Sequence, residues 1–218
     1  MRVPASRLVA LLGALVLFGG CFGAYQVSPD SVQSVGGLTP NVEDKDAGLV
    51  GLAPGFDIKA YKVIAVDKFP VTDPAIKDEE DRGRAAQMSV ILQNELVRRL
   101  RETGLFSRVV NLSETEFRPG SDKTLRLEGV ITRLGGGSQA ARALFGLYGA
   151  GAARAQAEMR FLDVQSRHPV LVTADRRQAS VGFFGGDMKD HWKESFDDMA
   201  RDLGKFLVRL SAGQAPAK

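Results

Sequence analysis

From Ala153 to Val164 apolar and polar side chains alternate, with Ala155, Ala157, Met159 and Phe161 set against Arg154, Gln156, Glu158 and Arg160. A period of two fits a β-strand with one dry and one wet face, whereas a helix would repeat its apolar stripe every three or four residues. Such a strand needs neighbours beside it and a second layer over its dry face. The neighbours are legible. Asp163 to Pro169 has the polarity and the proline of a hairpin loop and returns the chain into Val170 to Val181 as an antiparallel partner. Thr124 to Leu134 alternates Leu125, Leu127, Gly129 and Ile131 against Arg126, Glu128, Val130 and Thr132. Tyr61 to Val66 is β-branched and apolar enough to be buried on both faces, and a further strand runs from Phe106 to Val110.

The covering layer is equally visible. Over Arg84 to Thr103 the residues Ala85, Met88, Leu92, Leu96 and Leu100 form one helical stripe, and Gly104 stands where a left-handed C-cap belongs. Before this helix the loop Asp67 to Asp81 ends in the acids Asp78 to Asp81, which complement the positive end of a helix. A second helix, Asp187 to Leu210, carries Trp192, Phe196, Met199, Leu203, Phe206 and Leu210 at helical spacing. These elements predict an α+β fold: a single layer of mixed, mainly antiparallel sheet of about five strands, packed by two amphipathic helices on one face.

The N-terminus determines where such a domain resides. Arg2 and Arg7 precede an apolar run from Leu8 to Phe18 that is too short to cross a bilayer comfortably and has the layout of a secretory signal peptide. Leu17, Phe18, Gly19, Gly20 and Cys21 look like a bacterial lipobox, with Phe18 standing where leucine is usual. Cys21 is the chain's single cysteine, so no intramolecular disulfide, CxxC redox site or multi-cysteine zinc site exists. It is the candidate lipidation site. Each buried methylene contributes about 0.8 kcal/mol, so several acyl chains anchor durably where one would not. Phe22 rather than aspartate after the cysteine favours the outer membrane, with the domain facing the periplasm.

The expected division is a signal peptide (1–20), a lipidated N-terminus and flexible tether (21–57), an α/β domain (58–210) and a disordered tail (211–218). The tether assignment rests on a Ser, Gly, Pro, Asn and Asp composition without a sustained period, although Gly48 to Leu52 has the character to dock on the domain. Loss of Arg2 and Arg7 lowers the formal net charge of +3 by two, and Arg98, Arg99 and Arg101 share their helix with Glu95 and Glu102. That mixture is a solvated face rather than a nucleic-acid footprint.

Two small-residue segments are the candidate binding surfaces. The first, Gly135 to Gly151, is hinged by glycines and holds Ala141, Arg142, Leu144, Phe145 and Tyr148, with Ser138 as a candidate N-cap. It reads either as a mobile insertion meeting a membrane surface or a protein groove, or as a loop folded on its own domain with Phe145 as a core plug. In the second, Val181 to Asp187, Phe183 and Phe184 cannot both enter the core of an extended chain, and Asp187 is a candidate N-cap. The bland reading there is a strand-to-helix joint. Gly149 and Gly151 do not make a phosphate loop, because they lead into a strand and no Lys-Ser/Thr pair follows.

Catalytic patterns are sparse. His168 in a hairpin loop and His191 near a helix start are not diagnostic, neither GxSxG nor HExxH occurs, and Asp163 has the setting of a turn-forming residue. Asp197 and Asp198 are adjacent on a helix and so point apart. The expectation is a protein that is not an enzyme and carries no metal or cofactor.

Taken in order, Leu127-Glu128-Gly129, the loop Gly137, Ser138, Ala141, Arg142, Gly146, Gly149 and Gly151, then Phe161-Leu162-Asp163, then Phe184-Gly185-Gly186-Asp187 resemble the bacterial lipoprotein family called domain of unknown function 4410. The likeness spans about Tyr61 to Leu210 and implies an envelope lipoprotein with a small α/β domain and no established activity. The helix followed by Gly104, Leu105, Phe106 and a strand is also similar to periplasmic lipoproteins that act as assembly or secretion accessories. The resulting expectation is a non-enzymatic binding or assembly module for an envelope or secretion complex. It would use the surface around Arg142, Phe145, Tyr148, Phe183 and Phe184, with homo-oligomerisation left open. The alternative is a periplasmic hydrolase or small-ligand-binding protein using His168 or His191.

Overall fold

The structure, a computed structural model, describes residues 24–77, 79–136, 153–179 and 188–218. Among these, eight strands and two long helices follow the order β1 (Tyr25–Val27), β2 (Val42–Asp44), β3 (Gly48–Leu52), β4 (Val63–Val66), α1 (Glu79–Glu102), β5 (Arg108–Asn111), β6 (Thr124–Gly136), β7 (Ala153–Asp163), β8 (Pro169–Ala179) and α2 (Met188–Ser211). The strands form one mixed sheet ordered β2-β3-β8-β7-β6-β4-β5, with β1 paired to β8 beyond the end of β3. Pairs β4–β5 and β4–β6 are parallel and the other five antiparallel.

The predicted strands β4 to β8 are all present, and the alternation works as anticipated. Leu127, Phe161 and Leu171 lie in one cross-strand row beneath the helices, all fully buried. Both helices pack on that face and against each other, α1 through Ala85, Met88, Leu92, Leu96 and Leu100, α2 through Trp192, Phe196, Met199, Leu203 and Phe206. Strand β4 is buried on both faces. Ile64 and Val66 join the main core, while Val63 and Ala65 meet Val110 in a small cluster on the other side, flanked by Leu112 and Phe117.

Helix α1 begins at Glu79, five residues before the predicted start, because Glu79, Glu80 and Asp81 form its first turn instead of preceding it. Acids favour the positive end of the helix dipole from either position. Gly104 has φ 67°, the left-handed conformation expected of the cap. The expected loop after β4 follows the edge of β6, with Asp67 N–H donating to Leu127, Ile131 N–H to Pro70 and Thr72 N–H to Ile131. Phe69 is fully buried there because its partner position is Gly129, where an added Cβ would stand 2.9 Å from the Phe69 ring and collide with the Glu158 carbonyl.

The sheet is larger than the expected five strands, and the excess comes from the stretch read as a tether. Residues 24–57 contain β1, β2 and β3, all joined directly or in turn to the outer edge of β8. Strands of three to five residues are too short to show a period, so composition alone misreads them. The expected tail also departs from expectation. Ala217 N–H donates to Asp44 and its carbonyl accepts from Lys45 N–H, while Lys218 pairs with Glu43 at 2.6 Å.

Candidate functional site

The residues proposed for lipidation and partner capture, Cys21, Arg142, Phe145, Tyr148, Phe183 and Phe184, lie outside the described residues, as do the caps Ser138 and Asp187. The ends of the strands that carry these segments are described. Tyr25 pairs with Gln178, Gln178 with Arg154, and Arg154 with Gly135, one row across four strands. The first described residues after Cys21, the exit from β6, the entry to β7 and the exit from β8 therefore share one end of the sheet.

Two rows inward, the sheet face opposite the helices bears Arg133, Gln156 and Arg176 side by side. Residues 28–31 cross this row as a strap. Arg176 donates to the Ser28 carbonyl at 3.3 Å and pairs with Asp30. Asp30 N–H donates to the Gln156 amide oxygen at 3.0 Å, the Gln156 amide nitrogen donates to the Ser31 carbonyl at 3.1 Å, and Arg133 reaches Asp30 at 3.2 Å. Burial alone would raise the Asp30 pKa, but the two guanidinium groups outweigh it and hold the carboxyl below its ordinary range. Gln156, 1 % exposed, is a buried polar residue whose amide is satisfied by the strap. Sequence reasoning saw it only as one wet-face residue among four.

On the helix side, β8 carries two charged residues under α2. Arg177 binds Asp175 at 2.7 Å and Asp202 of α2 at 3.0 Å, and Asp202 also takes Lys205 at 2.7 Å. Burial pushes the Asp175 carboxyl up and the Arg177 guanidinium opposes it, whereas at Asp202 the cations Lys205, Arg177 and Arg201 overcome burial and lower the pKa. Further along α2, Arg209 holds Asp44 at 2.8 Å and Asp46 at 2.8 Å. The β2–β3 turn, the last turns of α2 and the C-terminus are thus fastened by charge.

The histidines are in separate settings. His168 is exposed in the β7–β8 turn, which Asp163 organises by accepting Ser166 N–H at 2.7 Å and the Tyr61 hydroxyl at 2.9 Å, with Arg167 at φ 60°. Burial favours the neutral acid, yet these bonds hold Asp163 below the usual carboxylate range, and burial together with Asp163 pushes Tyr61 up to about 12. His191, in the first turn of α2, has both ring nitrogens buried without a hydrogen bond, its nearest carboxylate being Glu194 at 4.0 Å. A general base needs an orienting partner and a proton within reach, and no hydrogen bond or ion pair joins the histidines to each other among the described residues. Asp197 is taken by Arg98 and Arg99 of α1 and Asp198 by Arg201, so these neighbours serve different ion pairs.

Two open grooves mark the surface of the described residues. One, of about 360 Å³, lies between β1 and the β2–β3 hairpin beside Pro29, Lys45 and Lys218, and the other, of about 460 Å³, lies on the open face beside Ser89, Val130 and Arg160. Both are open and shallow, unlike the enclosed clefts that bury small molecules. Among the described residues no group of three or more His, Cys, Asp or Glu is placed to hold a metal ion, and no helix is long and apolar enough to cross a membrane.

The class defined by this geometry is an α+β domain with two helices on one face of a mixed, mainly antiparallel sheet. Residues 52–207 match the model of the domain of unknown function DUF4410, and the chain belongs to that family. No curated protein matches it. Solved structures similar to it include a PelC dodecamer variant from Paraburkholderia phytofirmans, at 11 % identity and TM-score 0.44 over 71 % of this chain and 95 % of that one. Another is XCC0632 from Xanthomonas campestris, of the DUF330 family, at 12 % identity and TM-score 0.47 over 74 % and 91 %. A third, described as a candidate lipoprotein, comes from Caulobacter crescentus CB15, at 14 % identity and TM-score 0.35 over 73 % and 96 %.

Proposed function

We propose that this chain is a lipid-anchored bacterial envelope lipoprotein that acts as a non-enzymatic binding or assembly module, held by acylated Cys21 at the periplasmic side of the outer membrane. The observation that carries the reading is the single cysteine placed directly after a signal-like apolar run and two small residues, Gly19 and Gly20. Partner capture is assigned to Arg142, Phe145, Tyr148, Phe183 and Phe184, in segments whose flanking strands meet at one end of the sheet. The ionisable groups of the described body support this reading, since Asp163, Asp197, Asp198 and Asp202 each serve a turn or an ion pair.

The test has two arms. Mass spectrometry of the mature protein should find residue 21 N-terminal and acylated, and an unmodified thiol on a protein that stays free of vesicles overturns the anchor. Crosslinking in cells followed by affinity capture should recover an envelope protein that is lost with Phe145→Ala plus Tyr148→Ala and kept with His168→Ala plus His191→Ala. The reverse pattern overturns the binding-module reading in favour of chemistry at the histidines.

A further inference from the structure

We infer that the end of the sheet marked by Tyr25, Gln178, Arg154 and Gly135 lies against the lipid bilayer, with the β7–β8 turn as the part of the sheet directed away from it. The inference rests on the anchoring of Cys21 proposed above and adds an orientation to it.

Only Phe22 and Gly23 separate Cys21 from Ala24. Three Cα-to-Cα steps reach at most about 11 Å, so an acylated Cys21 leaves the folded body almost no freedom to stand off or turn over. The body begins at once: Ala24 packs against the core, and Tyr25 to Val27 pair with Gln178 to Arg176. A tether of some thirty residues would have made every orientation equivalent, whereas this attachment selects one. With strands about 4.8 Å apart, the row from Tyr25 to Gly135 extends roughly 14 Å from the attachment point, so the ends of β6 and β8 and the start of β7 are within reach of the same surface. Strand β6 is 13 residues long, so its other end lies roughly 40 Å away.

The chemistry at the near end suits an interface. Tyr25 is 48 % exposed, an aromatic ring with a polar tip of the kind that settles at headgroup level, and Arg154 is an exposed cation two strands away in the same row. The connection from Gly136 to Ala153 carries one charged residue, Arg142. At the far end the β7–β8 turn presents Gln165, Ser166, Arg167 and His168, all exposed and polar.

The test uses the acylated full chain, in which an introduced cysteine is the single free thiol. Arg154→Cys and Gln165→Cys proteins, each labelled with an environment-sensitive fluorophore, are reconstituted into phosphatidylethanolamine–phosphatidylglycerol vesicles containing spin-labelled lipid. Both positions are exposed, and unchanged thermal melting of each variant checks the fold. The label at position 154 should lose most of its emission to the quencher while the label at 165 keeps its own. Equal quenching at both positions, quenching at neither, or quenching at 165 alone, on protein shown to be acylated and vesicle-bound, overturns the orientation and leaves the anchor standing. An unmodified Cys21 overturns the anchor and the orientation together.

Discussion

The two edges of β8 are built on different physics. On one side β7 and β6 continue the sheet with long strands whose alternate residues, Met159, Phe161, Leu125 and Leu127, are sealed under two helices. On the other side β1 and β3 are short, their region brings little beyond Ala47 and Val50 to the core, and ion pairs and a hydrogen bond add to their backbone ladders: Asp30 to Arg133 and Arg176, Arg209 to Asp44 and Asp46, and Ala217 N–H to Asp44. The contrast teaches that a segment with few apolar anchors can still be structural, and that its hold then depends more on geometry and pH. Apolar burial contributes wherever the side chain is removed from water, whereas an ion pair contributes only with its partner in place.

Breaking the apolar side should have the largest effect. Phe161→Ala removes a fully buried ring, and chemical denaturation should register a loss of about 3–5 kcal/mol in one cooperative transition. Next comes Arg177→Met, which strands the Asp175 carboxylate beneath α2 and leaves Asp202 of α2 to Lys205 and Arg201, and which should cost about 3 kcal/mol by the same measurement. A cost under half of that would mean that Asp175 is already neutral. Arg209→Ala should cost about 1–3 kcal/mol, and its signature is local. Hydrogen exchange should speed up in β2, β3 and residues 212–218 while β6 and β7 keep their protection, and uniform acceleration would show that the charged edge is not a separate unit.

Acid should sharpen the same contrast. Asp44, against the pull of burial, is held below its ordinary range by Arg209 and the backbone N–H groups of Ala217, Asp46 and Ala47, and Asp30 is lowered by Arg133 and Arg176. A carboxylate depressed in the folded state contributes stability above its unfolded pKa, near 4, and loses it as pH falls through the folded value. Melting followed from pH 7 to pH 2 should therefore weaken below about pH 4, with exchange in β1–β3 rising first. Asp175, raised by burial, works in the opposite sense and is relieved by acid. The smallest effect is expected of Asp30→Asn, whose side chain is 40 % exposed. Its stability cost should stay below about 1 kcal/mol, while residues 28–31 lose exchange protection.

Much of the architecture was legible because burial leaves a period. The stripes of α1 and α2 and the alternation of β6 and β7 can each be read one residue at a time, and all four elements formed where that pattern placed them, to within a few residues. The strap was not legible. Nothing within Ser28 to Ser31 indicates that it crosses Gln156 and Arg176, about 126 to 148 positions later in the chain. The nearest signals were Gln156 and Arg176 themselves, polar residues in strands that elsewhere read as half buried. The candidate anchor and capture residues, Cys21, Arg142, Phe145, Tyr148, Phe183 and Phe184, came from the sequence alone.

By itself the chain determined its layers, because hydrophobic periodicity is a local property that survives in the linear order of residues. It also determined that any thiol chemistry must occur at residue 21. Tertiary structure alone decided that residues 24–57 belong to the body and that the C-terminus is pinned to β2. It alone decided, too, that the strand ends flanking the two small-residue segments meet beside Tyr25. These outcomes depend on register and on charges brought together from distant positions, and such pairings acquire a sign and a magnitude only when the sheet has assembled.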